Sequence, residues 1–167
     1  REYPFQGLAA QIIGFVGVNT DHPDPIGLYG LEKLHNQTLK ENQDLELTID
    51  RNIQAESEAI LEKIMTDYNA VQGTVIVMEP KTGKILSLAN SPSFDPNNYK
   101  KSEIANFLNS AVQSLYEPGS VFKPITMAAG IDAGVITPET TFFDKGSVTL
   151  NEKTITNWDH KAYGKTT

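Results

Sequence analysis

The sequence predicts a mixed α/β (α+β) fold, and three observations support this class. A long segment after Asp50 carries apolar residues at helical spacing, and two β-rich segments flank a turn at residues 80–83. A second apolar helix follows Ser120. With 167 residues and 39% hydrophobic residues, the chain can form one ordinary core, or one incomplete domain with an appendage.

The first helix is predicted from about Arg51 to Tyr68. The apolar residues that recur at helical spacing are Ile53, Ile60, Leu61, Ile64, Met65 and Tyr68. Asp50 directly precedes them, and its carboxylate is suited to accept hydrogen bonds from free backbone N–H groups, so we expect it to be the N-cap. The residues of the expected solvated face are Glu56, Glu58, Glu62 and Lys63.

A central β-hairpin is predicted after this helix. GTVIVMEP, residues 73–80, is a nearly continuous β-branched run, which is typical of a strand buried on both faces. KILSLAN, residues 84–90, is predicted as the returning strand. Pro80 to Gly83 lie between them and supply turn chemistry, with Gly83 expected at positive φ.

Shorter elements are predicted before the hairpin. Residues 1–39 are rich in Gly, Pro, Asn and Asp around NTDHPDPIGLYG, which favours strand-and-loop structure. A short helix is expected at LEKLHNQTL, residues 31–39. LELTID, residues 45–50, alternates apolar and polar residues like a half-buried strand.

The second half of the chain is predicted as loops, one helix and short extended pieces. SPSFDPNNYKK, residues 91–101, is expected to be an ordered loop without regular structure. A helical piece is expected within residues 102–116. The apolar helix tolerates Pro124 in its first turn and stops at Gly134. Residues 135–167 alternate extended pieces with turns.

Composition excludes several classes of function. The net charge of −7 argues against nucleic-acid binding, and the absence of cysteine excludes disulfides, thiolate nucleophiles and Cys-based zinc sites. The three histidines lack metal-ligand spacing, so we expect neither a metal nor a cofactor. AAQIIGFVGV, residues 9–18, is too short to span a membrane. Since the chain starts at Arg1 without Met, we expect an excised piece of a longer protein.

YEPGSVFKPIT, residues 116–126, contains the strongest chemical candidate. In a helix that begins at Ser120, the Lys123 amine lies on the same face as the Ser120 hydroxyl. A lysine can act as a base when burial and a helix N-terminus disfavour its charge. Lys123 would then take the proton while Ser120 attacks a carbonyl, and the Ser120 backbone N–H would be one oxyanion donor.

The Ser-x-x-Lys spacing alone is weak evidence. A chain with nine serines contains such a spacing easily by chance, and a helix-capping serine with a solvated lysine has the same pattern. The surrounding sequence favours a catalytic role for this spacing. Five blocks occur in the order found in class B penicillin-binding proteins: REYPFQGLAAQIIGFVG, GLYGLE, LTIDRNIQ, TGKILSLANSPSFDPNNY and YEPGSVFKPIT. The chain therefore resembles these bacterial cell-wall transpeptidases of division and elongation.

The resemblance implies a fold, a reaction and partners. Residues 1–44 would be the C-terminal part of a pedestal region, and residues 45–167 the first part of a transpeptidase domain with an antiparallel sheet flanked by helices. Ser120 would be the acylated nucleophile and Lys123 its general base. The substrate would be the D-alanyl-D-alanine end of a peptidoglycan stem peptide, and penicillins would mimic it. The parent protein would be membrane-anchored, act outside the cytoplasmic membrane and contact partners such as a membrane glycosyltransferase.

The sequence departs from the family pattern in two places. The family has an SxN and a KTG after the nucleophile, but no SxN occurs, and Lys81-Thr82-Gly83 precedes Ser120 and matches the turn of the hairpin. KENQD, residues 40–44, stands where the family usually has a much longer segment; a deletion, a missing segment or a naturally short linker would each explain it. We therefore expect a chain truncated within the catalytic domain and, taken alone, inactive, because catalytic groups that act as a unit fail together.

Three hypotheses follow. The chain carries the nucleophile of a D,D-transpeptidase, or it is a catalytically incomplete interaction module of the cell-wall synthesis machinery. The third reading, a serine β-lactamase or β-lactam sensor, is disfavoured because those proteins lack the RxYP and GLxGLE blocks. An SxN following within tens of residues would favour the enzyme.

Overall fold

The computed structural model describes residues 1–19 and 22–167. They divide into two compact units, Arg1–Leu115 (unit 1) and Tyr116–Thr167 (unit 2). The elements of unit 1 are α1 (Ala10–Ile13), β1 (Val16–Asn19), β2 (His22–Gly27), α2 (Gly30–Leu34), α3 (Asn36–Lys40), α4 (Arg51–Asp67), β3 (Gly73–Met78), β4 (Ile85–Ser91), 3₁₀ helices at Pro96–Lys101 and Ile104–Phe107, and α5 (Ser110–Gln113).

Unit 2 is built from one helical segment and two small sheets. Its elements are a 3₁₀ helix at Gly119–Phe122, α6 (Lys123–Asp132), β5 (Phe142–Asp144), β6 (Ser147–Leu150), β7 (Lys153–Thr156) and β8 (Gly164–Thr166). In the part of the chain described, β1 pairs with β2, β3 with β4, β5 with β8 and β6 with β7, all antiparallel. The predicted mixture of helices and antiparallel sheets is confirmed.

The long helix forms where it was predicted, and Asp50 is its N-cap. One Asp50 carboxylate oxygen accepts from Asn52 N at 2.9 Å and from Ile53 N at 3.0 Å. The helix buries Gln54, Ser57 and Leu61 and packs against β4.

The hairpin has the predicted order, but β3 is not buried on both faces. Val75 pairs with Ala89 and Val77 with Ser87, which places these residues on one face of the sheet. On the opposite face, Ile76 remains 50% exposed. The prediction was wrong because a buried strand and an edge strand can carry the same β-branched residues, and only the packing partners distinguish them.

Residues 45–50 do not form the predicted strand. Asp50 N donates to Leu86 O at 2.8 Å, and the Thr48 hydroxyl donates to Ile85 O. The next position along β4 is taken by a side chain: Gln54 Nε2 donates to Leu88 O at 3.0 Å, and Gln54 Oε1 accepts from Leu88 N at 2.8 Å. Because the Gln54 amide replaces a backbone partner, a ladder does not develop here.

Smaller predictions were corrected as well. The helix expected at residues 31–39 is interrupted at His35, whose φ of −109° and ψ of 28° are not helical. The loop expected at residues 91–101 contains a 3₁₀ helix, which Asp95 caps by accepting from Asn97 N. α1 adds a helical turn to the N-terminal region, while the hairpin of β1 and β2 fits the expected strand-and-loop structure. Thr20 and Asp21 of that region lie outside the described residues.

The core of unit 1 is an aromatic cluster. Phe15 is 1% exposed and stacks on Tyr99 with ring centroids 4.2 Å apart. Phe94 and Phe107 meet Phe15 edge-on at 5.7 and 4.8 Å. Residues of the N-terminal region therefore share one core with residues 94–107. The predicted domain boundary between residues 44 and 45 stays a prediction.

Candidate functional site

Ser120 and Lys123 lie at the junction of two helical segments. Ser120 is the second residue of the 3₁₀ helix at Gly119–Phe122, and α6 begins at Lys123, so the helix proper starts three residues later than predicted. The Lys123 backbone N–H donates to Ser120 O, which fixes the two residues one 3₁₀ turn apart. Side chains three apart on such a turn eclipse each other, so both project from one face.

The entry to this turn depends on Gly119. Its φ is +58°, in the left-handed region that other residues adopt at a cost. A Cβ at this position would meet no atom within 4 Å, so the glycine is required by backbone conformation rather than by space. Ser120 therefore directly follows a residue in the left-handed conformation.

The Ser120 and Lys123 side chains are both exposed. Within the described part of the chain, no side-chain hydrogen bond joins them. The burial that would favour a neutral lysine is therefore not found here. The Ser120 N–H belongs to the first turn of the 3₁₀ helix, where N–H groups have no partner within the helix. The roles of Ser120 and Lys123 stay predictions.

α6 continues from Lys123 with the predicted start and stop signals. Pro124 lies in the first turn, where a missing N–H leaves no intrahelical bond unmade. Gly134 follows the helix with a φ of +68° and ends it.

The hairpins of unit 2 are held by the Asp144 carboxylate. Asp144 Oδ1 accepts from Gly146 N at 2.9 Å, and Oδ2 accepts from Tyr163 N at 2.9 Å and Asn157 Nδ2 at 2.7 Å. These hydrogen bonds, led by that from Gly146 N, hold the pKa of the Asp144 carboxyl below its ordinary value. The charged form of Asp144 thus joins β5 to the segments before β6 and β8.

Lys81-Thr82-Gly83 forms the turn between β3 and β4, as predicted. Gly83 has a φ of +75°, and its N–H donates to Glu79 O at 2.8 Å. Thr82 hydrogen-bonds through its hydroxyl to the Glu79 carboxylate. The turn therefore has a local structural role in unit 1.

Two of the sequence blocks meet in an ion pair that the sequence did not predict. Arg1 Nε lies 3.1 Å from Glu32 Oε1, and the Tyr3 hydroxyl donates to the same oxygen at 3.3 Å. The Tyr3 hydroxyl also accepts from Val16 N at 2.9 Å. The RxYP and GLxGLE blocks are thus in direct contact. No local sequence signal indicates this pairing, because Arg1, Tyr3 and Glu32 meet only in the folded chain.

A second polar cluster joins β3, β4 and α5. Asn90 is 5% exposed, and its Oδ1 accepts from Thr74 Oγ1 at 2.9 Å and from Ser110 Oγ at 2.7 Å. Asn90 Nδ2 donates to Asn109 Oδ1 at 3.2 Å. Sequence reasoning missed this cluster because the partners of Asn90 are 16 to 20 residues away from it and none forms a recognised motif. It fixes α5, the last element of unit 1.

Comparison with known proteins agrees with this arrangement. Residues 73–167 match the transpeptidase family, described as the penicillin-binding protein transpeptidase domain. Over 99% of its length, the chain is similar to a crystal structure of Pseudomonas aeruginosa PBP2 in complex with WCK 5153, with a TM-score of 0.75 and 28% sequence identity. It covers 42% of that chain.

Curated relatives match over almost the whole chain. It is 32% identical over 98% of its length to a peptidoglycan D,D-transpeptidase FtsI homolog of Chlorokybus atmophyticus, and 37% identical over 94% to that of Mesostigma viride. It is 27% identical over 98% to stage V sporulation protein D of Bacillus subtilis. The chain spans only 27% to 30% of the length of these relatives. The chain belongs to the penicillin-binding protein transpeptidase family.

Proposed function

We propose that the chain carries the nucleophile of a peptidoglycan D,D-transpeptidase, with Ser120 as nucleophile and Lys123 as general base. The observation that carries the proposal is their placement one 3₁₀ turn apart, within a stretch that matches the transpeptidase family. Because the relatives are several times longer, the proposal concerns the whole protein of which these residues would form the nucleophile-bearing part.

The reaction would proceed through an acyl-enzyme. Ser120 Oγ attacks the carbonyl carbon between the two D-alanines of a stem peptide while Lys123 Nζ accepts the hydroxyl proton. The Ser120 N–H stabilises the oxyanion that forms. Collapse breaks the peptide bond, the lysine proton passes to the departing D-alanine amine, and Ser120 is left as an ester. An amine of a second stem peptide attacks this ester, forms the cross-link and restores the Ser120 hydroxyl.

Penicillin would react as the stem peptide does in the acylation step. Ser120 would open the β-lactam ring, forming an ester and placing the proton on the lactam nitrogen. After ring opening, the amine that would leave in the peptide reaction stays attached to the acyl group. The adduct therefore adds the full mass of the drug to the protein. This property makes acylation measurable without a cross-linking partner.

The exposure of Lys123 sets a requirement on the rest of the site. A base takes part in proton transfer where neighbouring groups hold it against the nucleophile and exclude water. Further groups would therefore be needed around Lys123. In the resemblance described above, residues of an SxN and of a later KTG strand would supply them.

The cellular setting follows from the same family. We infer that the protein works on the outer side of the cytoplasmic membrane, where peptidoglycan is assembled, and is anchored there. Potential partners are other cell-wall synthesis proteins, including a membrane glycosyltransferase. Among the described residues, none of the helices has the length and apolar character to cross a membrane.

A second candidate is an interaction module without activity of its own. The exposure of Ser120 and Lys123 favours it, because a solvated lysine and hydroxyl do not form a nucleophile pair. The two candidates differ in one property, the ability of Ser120 to be acylated.

Intact-protein mass spectrometry after incubation with penicillin distinguishes them. In the whole protein, the first candidate predicts a mass increase of one drug molecule, which is lost in Ser120→Ala and Lys123→Ala. Ser114→Ala serves as the matched control, because this serine lies six residues before Ser120 outside the Ser-x-x-Lys turn and its variant should retain the adduct. A folded whole protein that stays unmodified, or a Ser120→Ala variant that is still acylated, would contradict the first candidate.

A further inference from the structure

A groove of about 650 Å³ opens on unit 1, away from Ser120 in sequence and outside the proposed chemistry. Its lining comes from the N-terminal segment at residues 5–8, from α4 and from the segment at residues 90–95. A groove of this volume can accommodate several side chains of a ligand.

Small residues give the groove its depth. Ala55 and Ala59 are exposed on the α4 wall, and Gly7 faces them from the N-terminal segment. Gly7 is already tightly placed, since a Cβ there would lie 3.1 Å from Phe94 O. Phe5 adds an apolar rim that is 57% exposed, with the Arg51 guanidinium over its ring at 5.3 Å.

The charged side chains that line the groove are acidic. Glu58 and Glu62 come from α4, and Asp95 comes from the segment at residues 90–95. Within the described ranges, these three carboxylates take part in no salt bridge; the two that occur join Arg1 to Glu32 and Lys63 to Asp67. Two cations lie nearby, Arg51 over the Phe5 ring and Lys101 towards Asp95, but neither forms an ion pair with these carboxylates.

Two of these carboxylates are held in fixed positions by neutral donors. Glu58 Oε1 accepts from Ala9 N at 2.8 Å and from Gln54 Nε2 at 2.7 Å. Asp95 accepts from Asn98 Nδ2 at 2.6 Å and from Asn97 N at 2.9 Å. The hydrogen bond from Asn98, with that from Asn97 N, lowers the pKa of the Asp95 carboxyl, and Lys101 adds a smaller attraction. Carboxylates that are fixed in advance lose little entropy when a cation binds.

We propose that this groove binds a basic, partly apolar peptide segment of a partner protein. Lysine or arginine side chains of the segment pair with Glu58, Glu62 and Asp95, and its apolar side chains fill the space over Ala55 and Ala59 beside Phe5. The acidic lining favours a partner segment of positive charge. Hydrogen bonds between ionised groups are also stronger than those between neutral groups. The net charge of −7 favours the encounter with such a segment.

The probe for this proposal is a short fluorescent peptide of alternating Lys and Leu, measured by anisotropy against the whole chain. A Glu–Leu peptide of the same length controls for apolar binding alone. Glu62→Lys reverses one charge in the groove, and Glu56→Lys makes the same change on the same helix outside it. Ala59→Phe fills the groove without changing charge, and circular dichroism checks that each variant retains its helices.

The proposal predicts that the Lys–Leu peptide binds and the Glu–Leu peptide does not. Glu62→Lys and Ala59→Phe should each weaken binding by about tenfold, whereas Glu56→Lys should change it by less than about threefold. Absence of Lys–Leu binding to the unaltered chain overturns the proposal. Equal losses in the two lysine variants, or full binding by Ala59→Phe, would show attraction to the overall charge instead of the groove and would overturn it too.

Discussion

Arg1 Nε lies 3.1 Å from Glu32 Oε1, so the side chains of the RxYP and GLxGLE blocks form one ion pair across unit 1. The Glu32 side chain is almost completely buried, and the Tyr3 hydroxyl shares the same oxygen. Asn97 extends the contact, accepting from Tyr3 N at 3.0 Å and donating to Tyr3 O at 2.8 Å. Blocks far apart in sequence are therefore linked by specific polar contacts.

This cluster predicts a loss of stability at alkaline pH. Burial raises the pKa of the Tyr3 hydroxyl from 10.0 to about 12, and the Glu32 charge adds to the effect. The unfolded chain releases this proton at lower pH than the folded chain, so the Tyr3 contribution is complete below pH 10.0 and is lost as the pH rises towards about 12. Urea unfolding of the native chain and Tyr3→Phe across this range should show a steeper decline in the native chain.

Tyr68→Phe is the control for the alkaline experiment, because Tyr68 is 78% exposed. Its free energy of unfolding should follow that of the native chain at each pH. If Tyr3→Phe retains the full alkaline decline, the folded protein does not hold the Tyr3 proton and the assignment is wrong.

Replacing Gln54 by a residue of similar volume should lower the stability of the protein strongly. Gln54→Met keeps the volume but removes the partners of Leu88 N and Leu88 O, along with the bond to Glu58. Unpaired buried backbone groups should lower the free energy of unfolding by about 2–4 kcal/mol. Gln72→Met, at an exposed position, should change it by less than about 0.5 kcal/mol. Equal urea midpoints for both variants would show that Gln54 does not act as a backbone partner of β4.

Replacing Asp50 should lower the stability by a smaller amount. The loss should depend on whether the new side chain carries an acceptor oxygen. Asp50→Ala removes the bonds from Asn52 N and Ile53 N and should cost about 1 kcal/mol in urea denaturation. Asp50→Asn retains an acceptor oxygen and should remain close to the native chain. A loss in the asparagine variant as large as in the alanine variant would mean that the charge, not the cap, stabilises α4.

Replacing Gly119 should destabilise the backbone of the turn that carries Ser120. Gly119→Ala places a Cβ at a φ of +58° and should cost about 1–2 kcal/mol locally, although the space around it is open. Amide hydrogen exchange at Lys123, whose N–H donates to Ser120 O, should therefore become faster. Asparagine adopts this conformation more readily, so Gly119→Asn should exchange more slowly than the alanine variant. Identical exchange in the two variants would exclude a conformational role for the glycine.

Features that depend on neighbouring residues were predictable from the sequence. The Asp50 cap, the turn at Gly83 and the spacing of Ser120 and Lys123 involve residues within a few positions of each other, where local hydrogen bonding decides the structure. The family blocks extended this prediction to the fold. The resemblance to penicillin-binding proteins is confirmed by the match over residues 73–167.

Features that depend on distant residues were not predictable. The strand expected at residues 45–50 is replaced by the Gln54 side chain, and no local pattern distinguishes a glutamine that pairs with a neighbouring strand from a surface glutamine. The Asn90 cluster depends on residues in three elements. The exposure of Ile76 and Lys123 likewise depends on what packs against them.

Identifying the residue that penicillin acylates shows whether Ser120 is the nucleophile. The whole protein that contains these residues is incubated with penicillin, digested and sequenced by tandem mass spectrometry, with its Lys123→Ala variant treated in parallel. We expect one drug molecule on Ser120 in the native protein and none in the variant. A drug molecule on another serine, or an unmodified Ser120 in the folded whole protein, would show that Ser120 is not the nucleophile.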